Sequence, residues 1–284
     1  MKLSAIFDAP DADVVLRSNS QDVVDFRVHR CILSAASPFF KDMFGLPQPP
    51  TYPEDCDNGP PVVDLAEAAN VIEALLRFIY PVPNPIIETL DELAVVLAAA
   101  SKYEATIALD HLRKLLVSPS FAPLSPMRVF SIACQYDFEQ EAKIASRYTL
   151  TTNLLDTPLS ESPELKYISA YSYRRLLDLH RSRADAAKEI IQTAKTEIVE
   201  TIKCMQCNAV NLPSGFSPPR WWVDFQLRAC EELGSRPTTD VVFGMAFLAR
   251  SARAGCPRCA ESLLNSYAFL EGLRRKIDDL PGEI

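Results

Sequence analysis

Two Cys-x-x-Cys units, Cys204-Met-Gln-Cys207 and Cys256-Pro-Arg-Cys259, are the residues of this chain whose type and spacing point most directly to chemistry. Thiolates three positions apart can grip one tetrahedral cation from the same side, and a second unit supplies the other two ligands. Gly255 and Pro257 on either side of Cys256 favour the tight turn that a metal knuckle needs. Residues 208–255 make a longer insert than the roughly 15–20 residues of simple zinc modules, but its two helical segments can bring the chain back to its start. One structural Zn2+ on Cys204, Cys207, Cys256 and Cys259 is the chemical reading; plain thiols at helix ends and disulfides are the alternatives. Thioredoxin-like chemistry needs a cysteine at a helix N-terminus, whereas Cys204 reads as the end of a long helix, where the dipole has the opposite sign.

Little else points to catalysis. His29, His111 and His180 are spread over separate segments, and no nucleophile elbow, phosphate loop, dinucleotide fingerprint or His-Glu-x-x-His helix is present. A zinc- or thiol-dependent enzyme built on the four cysteines is the rival reading, and a four-sulfur site disfavours it by leaving no position open for substrate. Arg174, Arg175, Arg181 and Arg183, with His180 among them, read as a solvated helix face. A net charge of −8 argues against a nucleic-acid surface. No apolar run of about twenty residues argues for a membrane span. Eight cysteines without an Asn-x-Ser/Thr acceptor fit an intracellular chain, cytoplasmic and/or nuclear.

The elements that must position these residues are mostly helical. Glycine is scarce at 8 residues and proline common at 22, which suits capped helices joined by stiff loops. Alternation over 24–28 predicts one strand, the apolar run in 13–17 reads as a second, and Val62-Val63 as a short third. Ser37 and Pro38 start a helix carrying Phe39, Phe40, Met43 and Phe44. Further helices are expected over 67–80, from a Thr89–Glu92 capping box to 103, and over 107–117. The connector 118–126 (SPSFAPLSP) separates this α+β region, residues 10–117, from an all-helical domain at 127–284. In that second half helices are expected over 126–136, 139–150, a long one over 171–204, one after Pro219, one from Thr239 to Ala254, and a last over 260–279.

One stretch carries a family pattern. A strand ending in Phe26 and Val28, then His29, Leu33, the step Ser37-Pro38-Phe39-Phe40, and the closing Met43-Phe44 together resemble the signature of the BTB (POZ) domain. The resemblance implies a non-enzymatic protein-interaction module with Phe26, His29, Leu33, Ser37 and Met43 as its structural positions. It also implies self-pairing as a homodimer through Asp13, Ile32, Phe39, Phe40 and Phe44. Two roles follow from it: a scaffold, or a substrate adaptor for a cullin-type ubiquitin ligase, with the helical pair after Ser125 extending the cullin-binding surface. The density of large apolar groups between Ile32 and Phe44 is itself easier to explain if a partner covers part of it.

Overall fold

Phe26 and Val28 turn inward and Arg27 outward, so Val24–Val28 (β3) has the single buried face that its alternation predicts. In the computed structural model, which describes residues 2–19, 22–46, 59–156, 158–195, 202, 204, 206, 207 and 218–284, this strand lies inside a four-stranded sheet of order β1-β3-β2-β4. Its neighbours are β1 (Lys2–Asp8), parallel to it, and β2 (Val14–Arg17), antiparallel; β4 (Val62–Asp64) runs parallel to β2. Arg17 pairs with Asp25 across β2 and β3 through two hydrogen bonds of 2.8 and 3.0 Å. The guanidinium's hydrogen bonds hold the Asp25 carboxyl below its ordinary range.

Strand β1 is absent from the sequence reading, and its burial explains why. Ser4 and Phe7 are buried while Leu3 and Ile6 are exposed, a three-residue spacing produced by an irregular register between Leu3 and Asp8. Ser4 Oγ accepts the N–H of Phe7 at 3.2 Å, a local bond that accompanies this departure from the regular ladder.

With the sheet go five helices that pack on one another, α1 (Arg30–Ala36), α2 (Pro38–Gly45), α3 (Ala69–Ile79), α4 (Leu90–Lys102) and α5 (Thr106–Leu116). Leu33, Ile72, Leu76, Leu93, Leu97, Leu112 and Leu116 form their common core, each at most 1% exposed. Ser37 is fully buried and bonds twice: its Oγ accepts from the N–H of Phe40 at 3.1 Å and donates to the carbonyl of Tyr103 at 2.5 Å. The capping box at Thr89 and Glu92 starts α4 as expected. Helix α3 starts two residues later than expected, after Asp64 has ended β4. Glu67 instead accepts from Lys102 Nζ at 2.7 Å and from the Tyr103 hydroxyl. Residues 2–121 make one compact unit with the N-terminal residue, the rest a second that begins at Ala122.

In the second unit α6 (Pro126–Gln135) and α7 (Glu139–Thr149) pack as a pair, and Arg128 meets the buried Glu164 of a following 3-10 turn, Pro163–Tyr167. Helix α8 (Ala170–Gln192) is shorter than expected: Thr193 caps it, and residues 196–201 of the expected continuation lie outside the described residues. Cys204 is not helical. After α9 (Arg220–Ser235), each of the two expected helices is broken once. The first gives α10 (Thr239–Val242) and α11 (Met245–Ala254), the second α12 (Cys259–Asn265) and α13 (Tyr267–Asp278). At the first break a β-carbon on Gly244 would stand 3.1 Å from two carbonyl oxygens, those of Asp240 and Val241. At the second the buried Ser266 donates its hydroxyl to the Ser262 carbonyl at 2.7 Å.

The basic run on α8 is not the uniform solvated face its composition suggests. Arg174 and Arg181 are exposed beside Asp178 and Asp185, but His180 and Arg183 are buried. Arg183 donates to the carbonyls of Pro237, Ile277, Leu280 and Pro281, so one guanidinium gathers two separate stretches of backbone. Burial lowers its pKa below the ordinary value.

Candidate functional site

The four cysteines meet. The sulfur atoms of Cys204, Cys207, Cys256 and Cys259 all lie within 4.8 Å of one another. Cys204–Cys256 and Cys207–Cys259 are each separated by 3.4 Å, Cys256–Cys259 by 3.8 Å and Cys204–Cys259 by 4.0 Å. Four sulfurs about 2.3 Å from a central tetrahedral cation would stand roughly 3.8 Å apart, so the cluster has the size of a four-thiolate metal centre. Cys204 and Cys259 are buried, at 1% and 0% exposure; Cys207 and Cys256 are half-buried.

Three segments build this centre, and the local reasons differ. Cys204 and Cys207 sit beyond the end of α8. Cys256 and Cys259 flank the turn between α11 and α12, where the N–H of Cys256 donates to the Cys259 sulfur at 3.3 Å. Gly255 is needed there for space: a β-carbon on it would lie 2.3 Å from the Cys259 sulfur. The third segment is the start of α9. Its first two amides, Arg220 and Trp221, have no carbonyl partner within the helix, and they hydrogen-bond Cys207 and Cys259 respectively. The positive end of a 16-residue helix therefore faces Cys207 and Cys259. Pro218-Pro219 marks that helix start in the sequence, but only the fold shows that its amides reach the cysteines.

These contacts set the thiols apart. Burial pushes the Cys207 thiol up, but hydrogen bonds from Cys256, Cys259 and the amides of Arg220 and Cys256 outweigh it and bring the thiol down to about 7. Burial pushes Cys259 up to about 12 and also raises Cys256. A bound divalent cation would draw the protons from all four. Beneath the cluster Trp221 Nε1–H donates to Ser262 Oγ, which donates to the Ile202 carbonyl, both at 3.0 Å. Trp221, Trp222 and Phe225, each at most 2% exposed, form the core on which the centre rests.

The residues singled out in the first unit are distributed as follows. Phe26 and Leu33 are in the core, Met43 is half-buried, and Ser37 holds α2. His29 donates its amide to the Tyr80 hydroxyl at 2.7 Å, and its ring stands between Tyr80 and Asp11. Asp13 is exposed and accepts the Arg30 amide at 2.7 Å, satisfying the first donor of α1. Arg30 itself lies over the Phe44 ring, 5.3 Å from its centre. Of the four apolar candidates for an interface, Phe39 is 37% exposed while Ile32 and Phe44 are half-buried. Phe40 departs from its expected place: at 1% exposure it stacks on Tyr103 and Phe44 inside its own domain, because the Ser37 cap turns it inward. Cys31, on α1, is exposed. No helix among the described residues is long and apolar enough to cross a membrane.

Comparison with known families finds the BTB/POZ domain over residues 8–120. Among solved structures the chain is similar to the BTB domain of zebrafish PATZ1, at 19% identity over 37% of this chain and 75% of that one, with a TM-score of 0.28. No curated protein matches the chain.

Proposed function

Residues 8–120 form a BTB/POZ domain, a protein-interaction module, and from that premise we propose that the protein is a self-associating scaffold or adaptor, assembled through α1 and α2 of this domain. The observation that carries the reading is Phe39: a large aromatic side chain 37% exposed beside the buried Phe40 and Tyr103, on the helix that closes the domain's aromatic cluster. Exposed aromatic surface of this kind gains from a partner's cover. Light scattering tests it. The unaltered chain should have the mass of a dimer and Phe39→Glu that of a monomer with unchanged circular dichroism. A monomeric mass for both proteins refutes self-association.

The pair α6–α7, which follows the domain directly, favours a second role as an adaptor for a cullin-type ligase scaffold. Capture from native extract with and without residues 126–149 distinguishes the two: cullin recovered only with the intact pair supports the adaptor, and no cullin in either leaves the scaffold. The cysteine cluster is read as the seat of one structural Zn2+. Its four sulfurs leave no open coordination position, so it serves folding and not substrate. Elemental analysis after purification without chelator should give one zinc per chain, and none with Cys256 and Cys259 both replaced by Ser.

A further inference from the structure

We propose that the four-sulfur cluster is also an oxidation site, at which a peroxide converts the cysteines into two disulfides, Cys204–Cys256 and Cys207–Cys259, and frees the cation. The inference deepens the zinc reading, on which its cation-release step rests; the pairing itself rests on the sulfurs alone.

The closest sulfur contacts named above run between the two Cys-x-x-Cys units. At 3.4 Å each, Cys204–Cys256 and Cys207–Cys259 are nearer than Cys256–Cys259 at 3.8 Å, although the latter pair shares one turn. Each cross pair also joins an accessible sulfur to a protected one. Cys256 and Cys207 are half-buried, whereas Cys204 and Cys259 are buried. Cys256 borders a groove of about 580 Å³ between α11 and α12, lined by Leu248, Ala252, Pro257 and Leu263, by which a small oxidant can approach.

An outer thiolate attacks one oxygen of hydrogen peroxide, the O–O bond breaks, and the products are a sulfenic acid and hydroxide. The inner thiolate of the same cross pair then attacks the sulfenic sulfur, forming the S–S bond and expelling a second hydroxide. Two peroxides therefore take four electrons from four thiolates, giving two disulfides and four hydroxides, and the cation leaves because disulfide sulfur no longer carries the charge that held it. Both new bonds tie the same two segments that the cation tied, so the covalent link replaces the metal link.

The test uses the full chain, zinc-loaded and reduced, titrated with hydrogen peroxide in the presence of a chromophoric zinc chelator. Trypsin cuts after Arg258 and cyanogen bromide after Met205, so together they place all four cysteines on separate fragments whose disulfides can be mapped by mass spectrometry. The expected result is zinc release in step with peroxide up to about two equivalents, the Cys204–Cys256 and Cys207–Cys259 linkages, and recovery of zinc binding after dithiothreitol. Linkage within the units, or sulfinic acids without disulfides, overturns the proposal. Cys256→Ser supplies an independent check: Cys207–Cys259 should still form, and a Cys204–Cys207 bond in its place counts against the cross pairing. If the purified protein holds no zinc, the metal reading falls, while the disulfide map of the same protein still decides the pairing.

Discussion

A β-carbon at position 255 would overlap the Cys259 sulfur, and Cys259 has little room to move because the Trp221 amide and the turn hold it. Gly255→Ala should therefore weaken zinc binding by about tenfold to a hundredfold, measured by competition with a chelator, with the BTB/POZ domain unaffected. His180 shows a second residue-level effect. Burial lowers its pKa from 6.5 to about 4. Thr149 spends its hydroxyl proton on the Ser146 carbonyl, so it accepts from His180 Nε2, which carries the ring proton. The unfolded imidazole charges near pH 6.5 and the folded one resists until about 4, so stability is intact above 6.5 and falls as the pH drops toward 4, by about 3 kcal/mol. Urea unfolding at pH 7 and pH 4.5 should show a decline that His180→Gln reduces. The cysteine spacing made the four-sulfur cluster legible in the sequence, because two short motifs declare their own geometry. His180 and Arg183 were not legible, since their surroundings come from other elements: His180 meets Thr149 of α7, and Arg183 the backbone at Pro237 and at the end of α13.

Among the elements, α2 depends on one atom. Ser37 Oγ caps it and anchors it to the end of α4, and the position is fully buried. Ser37→Ala leaves both partners unsatisfied and should cost about 2 kcal/mol in denaturant unfolding, whereas Thr89→Ala, at an exposed capping box, should cost about 1 kcal/mol. Elements with a local signal are legible in the sequence: β3 by alternation, β2 by its apolar run Val14-Val15-Leu16, α2 by Ser-Pro, α4 by its capping box. Those set by tertiary contact were not. Strand β1 hides behind an irregular register, and the breaks at Gly244 and Ser266 interrupt apolar periodicity that continues on both sides.

At the scale of the molecule, the two units should respond differently to loss of metal. Only the second contains the cluster, so a strong chelator should lower the unfolding temperature of one calorimetric transition and leave the other in place. The sequence marked the BTB/POZ region because its signature is compact, but it left the purpose of the helical half open. The clamp also has a mechanical consequence. Cys204 and Cys256 stand 52 positions apart in the chain, and α9, α10 and α11 all lie between them, as on a closed ring. Pulled from its two ends in an optical trap, the chain should withhold about 180 Å of its contour length until the ring opens, and give it up as a separate step when the metal is stripped or the sulfurs are replaced.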